Sequence, residues 1–558
     1  MHEALALAFE GTPAADPEAL ATHWKEAGHP TKAAEYAAAA GAQALKAFAF
    51  DRAARRYEQA LSLLPQGHEV RLELQIRLGE ALAGAGRGAL AAAHFEAAAK
   101  QASPVDALQL RRRAADQLLR SGRIDEGIAL LRAVLAAMGI AMLEGPKAML
   151  ASLLFYRIRV ALRGLRFTVR EEADVDPEVL RRIDAVWSVA AGLSTVDTGR
   201  SAEFHNRGLL LALDAGEPDR LSRALAMEAA LSAIEGAARR ARAPQMLEMA
   251  DRLARRSAHP ETEAWIALAS CVIAMHLGRF EDSLGSATEA EAMFRERCEG
   301  PTWKVAEARA FGLWALAYLG RLGELARRIP ALLHDAIDRD DLFAQISVAL
   351  GPTHVAWLAR DDVATMRQTC ADAMQRWTQT GFHFQHLCAL FSLTAADLYE
   401  GDAASAAARV EAAWPSAQRS LLLRAQFVRI DCWYLRGRAS VSLAFADPAV
   451  RGRALRAANG AAAHIESEKM PWSQGLAFGL RAAIARIEGH TTESVRLLDL
   501  AERAFLAASM RVHAASCAYQ RNLLTGEQDL APGEAVLCEE GVRNPARFAN
   551  VLVPMRAL

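Results

Sequence analysis

The 558-residue sequence predicts an all-α chain, an α-solenoid of stacked antiparallel helix pairs, on three observations. Proline is sparse at 19 residues, alanine dominates, and stretches alternating apolar with polar residues are scarce, which favours helix over sheet. Turn glycines and small–aromatic–small patterns recur at a near-constant spacing. The pairs Asp16-Pro17, Ser103-Pro104, Asp176-Pro177 and Asp447-Pro448 each set an N-cap side chain before a proline at the first helical position, where the missing N–H costs nothing. An apolar share of 52% with 23% charged residues belongs to a folded chain rather than a disordered one.

The first block, residues 1–139, is expected to hold tetratricopeptide-like repeats. Phe50, Ala53, Tyr57, Ala60 and Pro65 fall at the spacing of the second helix of such a repeat. Small Ala53 and Ala60 let two helices approach, Tyr57 fills the next groove, and Pro65 ends the helix. Ala91, Phe95 and Ala98 take the same places one unit on, and the turn glycines Gly86 and Gly122 lie 36 residues apart. Ser103 followed by Asp106 reads as a capping box. Gly84, Gly86 and Gly88 suggest a phosphate loop, but a dinucleotide fingerprint needs a preceding strand and a glycine where Ala89 stands. The repeat register already explains these glycines.

Residues 140–198 lose the period and are expected to form an irregular, basic helical connector. Arg157, Arg159, Arg163, Arg166 and Arg170 run with no acid until Glu171, interleaved with Leu153, Leu154, Phe155, Ile158, Val160, Leu162 and Leu165 as in an amphipathic helix. Three uses are open: a solvated or internally paired face, a seat for an acidic partner, or a seat on an anionic membrane. Arg157, Arg159, Arg163 and Arg166 are the partner-binding candidates. A second repeat block, residues 199–526, follows, with Gly278 and Gly320 opening LGR turns 42 residues apart and looser turns beyond. Residues 527–558 read as a cap or tail, in which residues 539–558 are expected to form a short capping helix plus strand-like or coil residues.

Chemistry-bearing motifs are few. His383 and His386, three apart on one helix face, and Cys388 suggest a metal site, yet zinc wants further ligands at defined spacing, and Phe382, Phe384, Leu387, Leu390 and Phe391 suggest a packed aromatic hairpin. No metal or cofactor is expected. A formal net charge of −1 removes the electrostatic footprint of a nucleic-acid binder. Seven scattered cysteines without a C-x-x-C pair point to a reducing cytoplasm. The N-terminus lacks a signal-peptide pattern, and the longest apolar candidates, such as residues 265–278, fall short of a membrane span. Neither G-x-S-x-G nor H-E-x-x-H occurs, so no enzyme is expected.

Residues 16–61 resemble the start of the helical-repeat region that follows the NTPase and winged-helix segments of STAND-type signalling ATPases. Residues 162–229 and 541–554 look more specifically like the C-terminal portion of myxobacterial serine/threonine protein kinases carrying such an ATPase module. The resemblance covers nearly the whole chain and implies a repeat region that works beside a kinase and an ATPase. The kinase and Walker A motifs of that family are absent from this sequence, so no catalytic residue carries over. The expectation is a detached C-terminal arm or the product of a downstream start. The expected function is a non-catalytic sensor or scaffold that binds a protein or small-molecule effector on its concave face, partnered with kinase and ATPase signalling modules. Alternatives are the helical-repeat sensor of a transcriptional regulator acting through a partner chain and a cryptic metal-dependent hydrolase.

Overall fold

The computed structural model describes all residues except 11, 13–14, 48, 195–196, 237–239, 258, 299–301, 379, 527–530 and 557–558. Among the described residues the chain forms 29 α-helices and four short 3-10 turns, with no strand. Consecutive helices pair as antiparallel hairpins, so the predicted all-α helical-repeat architecture is the observed one. The chain divides into two compact units. The first comprises residues 1–144, 299–303 and 336–343, and the second the remainder.

The hairpin turns share one construction. At Gly86 the amide donates to the Ala83 carbonyl (3.0 Å) and the next amide, Arg87, donates to Leu82 (2.8 Å). This is a Schellman closure, in which a residue in the left-handed region turns two orphan carbonyls of the helix end into acceptors. Gly122, Gly278 and Gly320 repeat the same pair of bonds, and all four glycines have positive φ. Three later turns use the closure without glycine: Asp340, Asp361 and Ser509 hold φ between 55° and 58°. Those turns are invisible to a search for glycine.

In the first unit, Ala53, Ala60, Ala91 and Ala98 are fully buried, as close helix approach requires. The aromatic rings rest on bare backbone. A Cβ on Gly41 would stand 3.0 Å from the Tyr57 ring, and one on Gly79 would stand 2.6 Å from the Phe95 ring. Both glycines lie 16 residues before their ring. Phe50 packs in the same way on Gly84. Pro65 is exposed just beyond the helix Phe50–Leu63, whose end it enforces. Asp16, Ser103 and Asp176 cap their helices by accepting backbone N–H bonds. Asp447 does not: it accepts from Ala449 N (2.8 Å) in a turn, and the next helix begins at Arg451.

The second unit opens with the helix Pro146–Arg163. An extended run follows, in which Arg170 N donates to Gly216 O (3.0 Å), and then the helix Pro177–Gly192. Farther on, the unit curls back on itself. Trp472 packs on Gly278, Val512 on Gly320, and Gly323 N donates to Glu540 (3.2 Å), joining residues about 190 to 220 apart in sequence. Residues 531–555 hold two helices, Ala531–Glu539 and Pro545–Leu552, the second being the short helix expected within residues 539–558. Phe548, Val551 and Leu552 are buried, and this burial holds the second helix in place.

Candidate functional site

The curl of the second unit forms a half-open cavity with about 60 Å³ open to the centre of a water-sized sphere, several times what one water needs. Pro352, Val355, Phe391 and Leu476 supply apolar wall, and six polar side chains converge on the rest. Three of the six come from one helix, Gln426–Ala446, where Asp431, Tyr434 and Arg438 recur at i, i+3 and i+7 and therefore share a face. Tyr318 comes from the helix Thr302–Leu319, His354 from the start of His354–Ala359, and His513 from Arg511–Thr525.

Arg438 is 5% exposed. Its Nη1 donates to Val551 O (3.0 Å), and Tyr434, whose ring the guanidinium overlies at 4.6 Å, donates its hydroxyl to Leu552 O. Both acceptors are last-turn carbonyls of Pro545–Leu552, so a cation and a phenol close that helix where its dipole is negative. Among the described residues no carboxylate pairs directly with Arg438, and its Nε finds no partner. Burial pulls the guanidinium below its ordinary value. At the more exposed side of the cavity Tyr318 donates to Asp431. Desolvation raises the Asp431 carboxyl to about 7, against the opposing pull of that hydrogen bond and of Arg438. Tyr318 is pushed well above the usual phenol range, first by burial and then by Asp431.

His354 and His513 are each 7% exposed. His354 Nδ1 lies 2.6 Å from Gly351 O. A carbonyl only accepts, so Nδ1 carries the proton, and in the neutral ring Nε2 is a bare acceptor. Among the described residues nothing meets it, and nothing meets His513 Nδ1. Burial first, and then the Arg438 charge, lower His354 to about 4, against the pull of the Gly351 carbonyl, and His513 to about 3. Both rings are neutral at pH 7.

The residues singled out in the sequence lie elsewhere. His383 Nδ1 accepts from Trp377 Nε1 (3.2 Å), and His386 Nδ1 accepts from His383 N (3.0 Å), which caps the helix Phe384–Glu400. With both Nδ1 atoms accepting, each neutral ring carries its proton on Nε2 and offers no lone pair to a metal. Cys388 is buried against Gly351, and desolvation pushes its thiol up. Among the described residues no group of three or more His, Cys, Asp or Glu is arranged to hold a metal ion. On the helix Pro146–Arg163, Arg157 pairs with Glu235, Arg163 donates to Asp214 (2.8 Å) and to the Arg166 carbonyl (2.7 Å), and Arg159 lies 5.7 Å over the Phe155 ring. Arg166 is exposed, as are Leu154, Phe155, Ile158 and Leu162.

Sequence reasoning missed all six polar residues of the cavity. The available signal was a buried-stripe register: Arg438 and Asp431 fall in phase with Phe427, Tyr434 and Val441, where charge is out of place.

These elements define an all-α helical-repeat protein with a polar cavity in its second unit. No family model and no curated protein matches the chain. A solved structure described as "Structure of Naa15/Naa10 bound to HypK-THB" is similar over 99% of this chain and 85% of that one, at 13% identity and a TM-score of 0.21. Among the described residues no single helix is long and apolar enough to cross a membrane.

Proposed function

We propose that this chain is a helical-repeat sensor and scaffold, which joins a small-molecule signal to protein partners and does no chemistry of its own. The observation that supports this most directly is the cavity of the second unit. Arg438 Nε, His354 Nε2 and His513 Nδ1 are buried there with unmet bonding capacity, a cost that folded proteins accept mainly where water or a ligand answers it. The state of the lining groups favours binding over turnover. Two neutral histidines, two phenols held above their usual range and a half-neutral carboxyl leave no activated nucleophile among them.

The partners in this reading are proteins, and the sequence resemblance directs the search to serine/threonine kinase and STAND-type ATPase modules of the cytoplasm. The exposed apolar stripe beside Arg159 and Arg166 is where such a module would seat. Nucleic acid and cofactors have no part in it. The test joins hydrogen exchange of the full chain, in the presence of a chemically mixed metabolite library, to cross-linking with a purified kinase–ATPase module. A compound that slows exchange in His354–Ala359, Gln426–Ala446 and Arg511–Thr525, together with a cross-linked module, supports the reading. No compound altering exchange there, and no cross-link, removes it.

A further inference from the structure

The unmet bonds of the cavity are of two opposite kinds, and together they describe a ligand. Arg438 Nε–H is a charged donor lacking an acceptor among the described residues, at a guanidinium that donates to a carbonyl and not to an anion. A buried cation with no anion paired directly to it is costly, and an anion hydrogen-bonded beside it removes most of that cost. His354 Nε2 is an acceptor lacking a donor, fixed as such by the Gly351 carbonyl on the other ring nitrogen. A bare carboxylate would satisfy the arginine but set its lone pairs against the histidine. An uncharged polyol would satisfy the histidine and leave the cation unanswered. A molecule carrying both groups answers both, and the small volume and the apolar wall of Pro352, Val355, Phe391 and Leu476 limit its body to a short carbon chain.

We infer that the cavity binds a small hydroxy-carboxylic acid, with its carboxylate accepting from Arg438 Nε and its hydroxyl donating to His354 Nε2. His513 Nδ1 is the remaining unpartnered atom and takes whichever role its tautomer allows. Asp431 faces the same space and opposes the ligand when it is ionised. The inference rests on the ligand-binding half of the sensor reading above, that some compound occupies the cavity.

The pH dependence follows from the groups that face Asp431. Tyr318 and Tyr434 stay protonated, Arg438 stays charged and the two histidines stay neutral between pH 6 and 8, so Asp431 alone changes charge there. Protonating it as the pH falls removes an anion beside the bound carboxylate, and binding tightens.

Calorimetric titration of the full chain with lactate, glycerate, propionate, glycerol and inorganic phosphate tests this. Lactate or glycerate should bind at least about tenfold more tightly than propionate, which leaves the buried His354 acceptor unmet, and than glycerol, which loses the charged bond to Arg438. Their affinity should rise several-fold from pH 8 to pH 6. Asp431→Asn, which keeps the bond from Tyr318, should bind as tightly at pH 8 as the wild type does at pH 6. His354→Phe should erase the preference of lactate over propionate, and Arg438→Gln should abolish binding of both. Asp431→Asn and the ligand panel stand even where Arg438→Gln fails to fold. Glycerol or phosphate binding most tightly, or a flat pH profile with Asp431→Asn unchanged, overturns the inference and leaves the sensor reading intact. No compound of the panel or of the mixed library binding shows a water-filled cavity and removes both.

Discussion

Gly278→Ala should cost far more than Gly489→Ala, although both glycines close hairpin turns of the second unit by the same two hydrogen bonds. Each sits in the left-handed region, at φ 73° and 86°. An alanine there costs roughly 1–2 kcal/mol. At Gly489 the new methyl would meet nothing within 4 Å, so that is the whole loss. At Gly278 it would stand 2.3 Å from Trp472 Cδ1. Trp472 cannot easily retreat, because Phe280, Tyr318 and Phe427 pack around it at ring-centroid distances of 6.0, 6.1 and 4.8 Å. Overpacking of this kind adds about 1–3 kcal/mol, for a total of roughly 2–5 kcal/mol. In urea unfolding followed by tryptophan fluorescence, a slope of about 2 kcal/mol/M converts the difference between the variants into roughly 0.5–1.5 M of midpoint. Equal midpoints, or a lower one for Gly489→Ala, would refute the claim that the aromatic cluster locks the curl.

The histidines and Asp431 tilt the pH profile in opposite directions. His354 and His513 have folded values near 4 and 3, below the ordinary 6.5, so the unfolded chain binds more protons and stability falls as the pH drops from 6.5 toward 4. His354→Phe should flatten that limb in thermal melts. Asp431 has its folded value raised from 3.8 to about 7, so its contribution is complete below pH 3.8 and is lost as the pH rises through 7. Asp431→Asn should therefore raise the melting temperature at pH 8 and leave it unchanged near pH 3.5. Tyr434→Phe leaves the Leu552 carbonyl without its phenol and should cost about 1–3 kcal/mol by urea titration. In the first unit, Phe95→Ala empties the space over Gly79 and removes the ring under Arg113, for a loss of roughly 3–5 kcal/mol in the same assay.

The first unit was largely legible because its forces are local. Ala53, Tyr57 and Ala60 contact helices next to them in sequence, so their spacing carries the packing. Among the turns that close without glycine, the one at Arg360-Asp361 was legible from the looser repeat register, while those at Asp340 and Ser509 were not, because surrounding structure holds them in a conformation their side chains do not announce. The cavity was illegible for a different reason. Tyr318 meets Asp431 across 113 residues, and Tyr434 meets Leu552 across 118. No local period encodes a meeting that depends on accumulated rotation over several hairpins. Even the visible oddity of Arg438 in a buried stripe gives no hint of the Val551 carbonyl it reaches. The His383–His386 spacing misleads in the opposite sense, since a helix cap and a tryptophan N–H use the same one-face geometry that a metal would.

An open solenoid behaves as a spring: each hairpin yields a little, and the whole stretches at small cost. The second unit has lost that compliance in the stretch that curls back. With Gly278 seated on Trp472, Gly320 on Val512 and Gly323 tied to Glu540, bending it means breaking contacts between distant windings together. Under load it should hold its shape to a threshold force and then yield in one step, in the manner of a clasp. A pulling experiment across residues 278 and 512 would show a single rip in place of the graded extension of a linear repeat array.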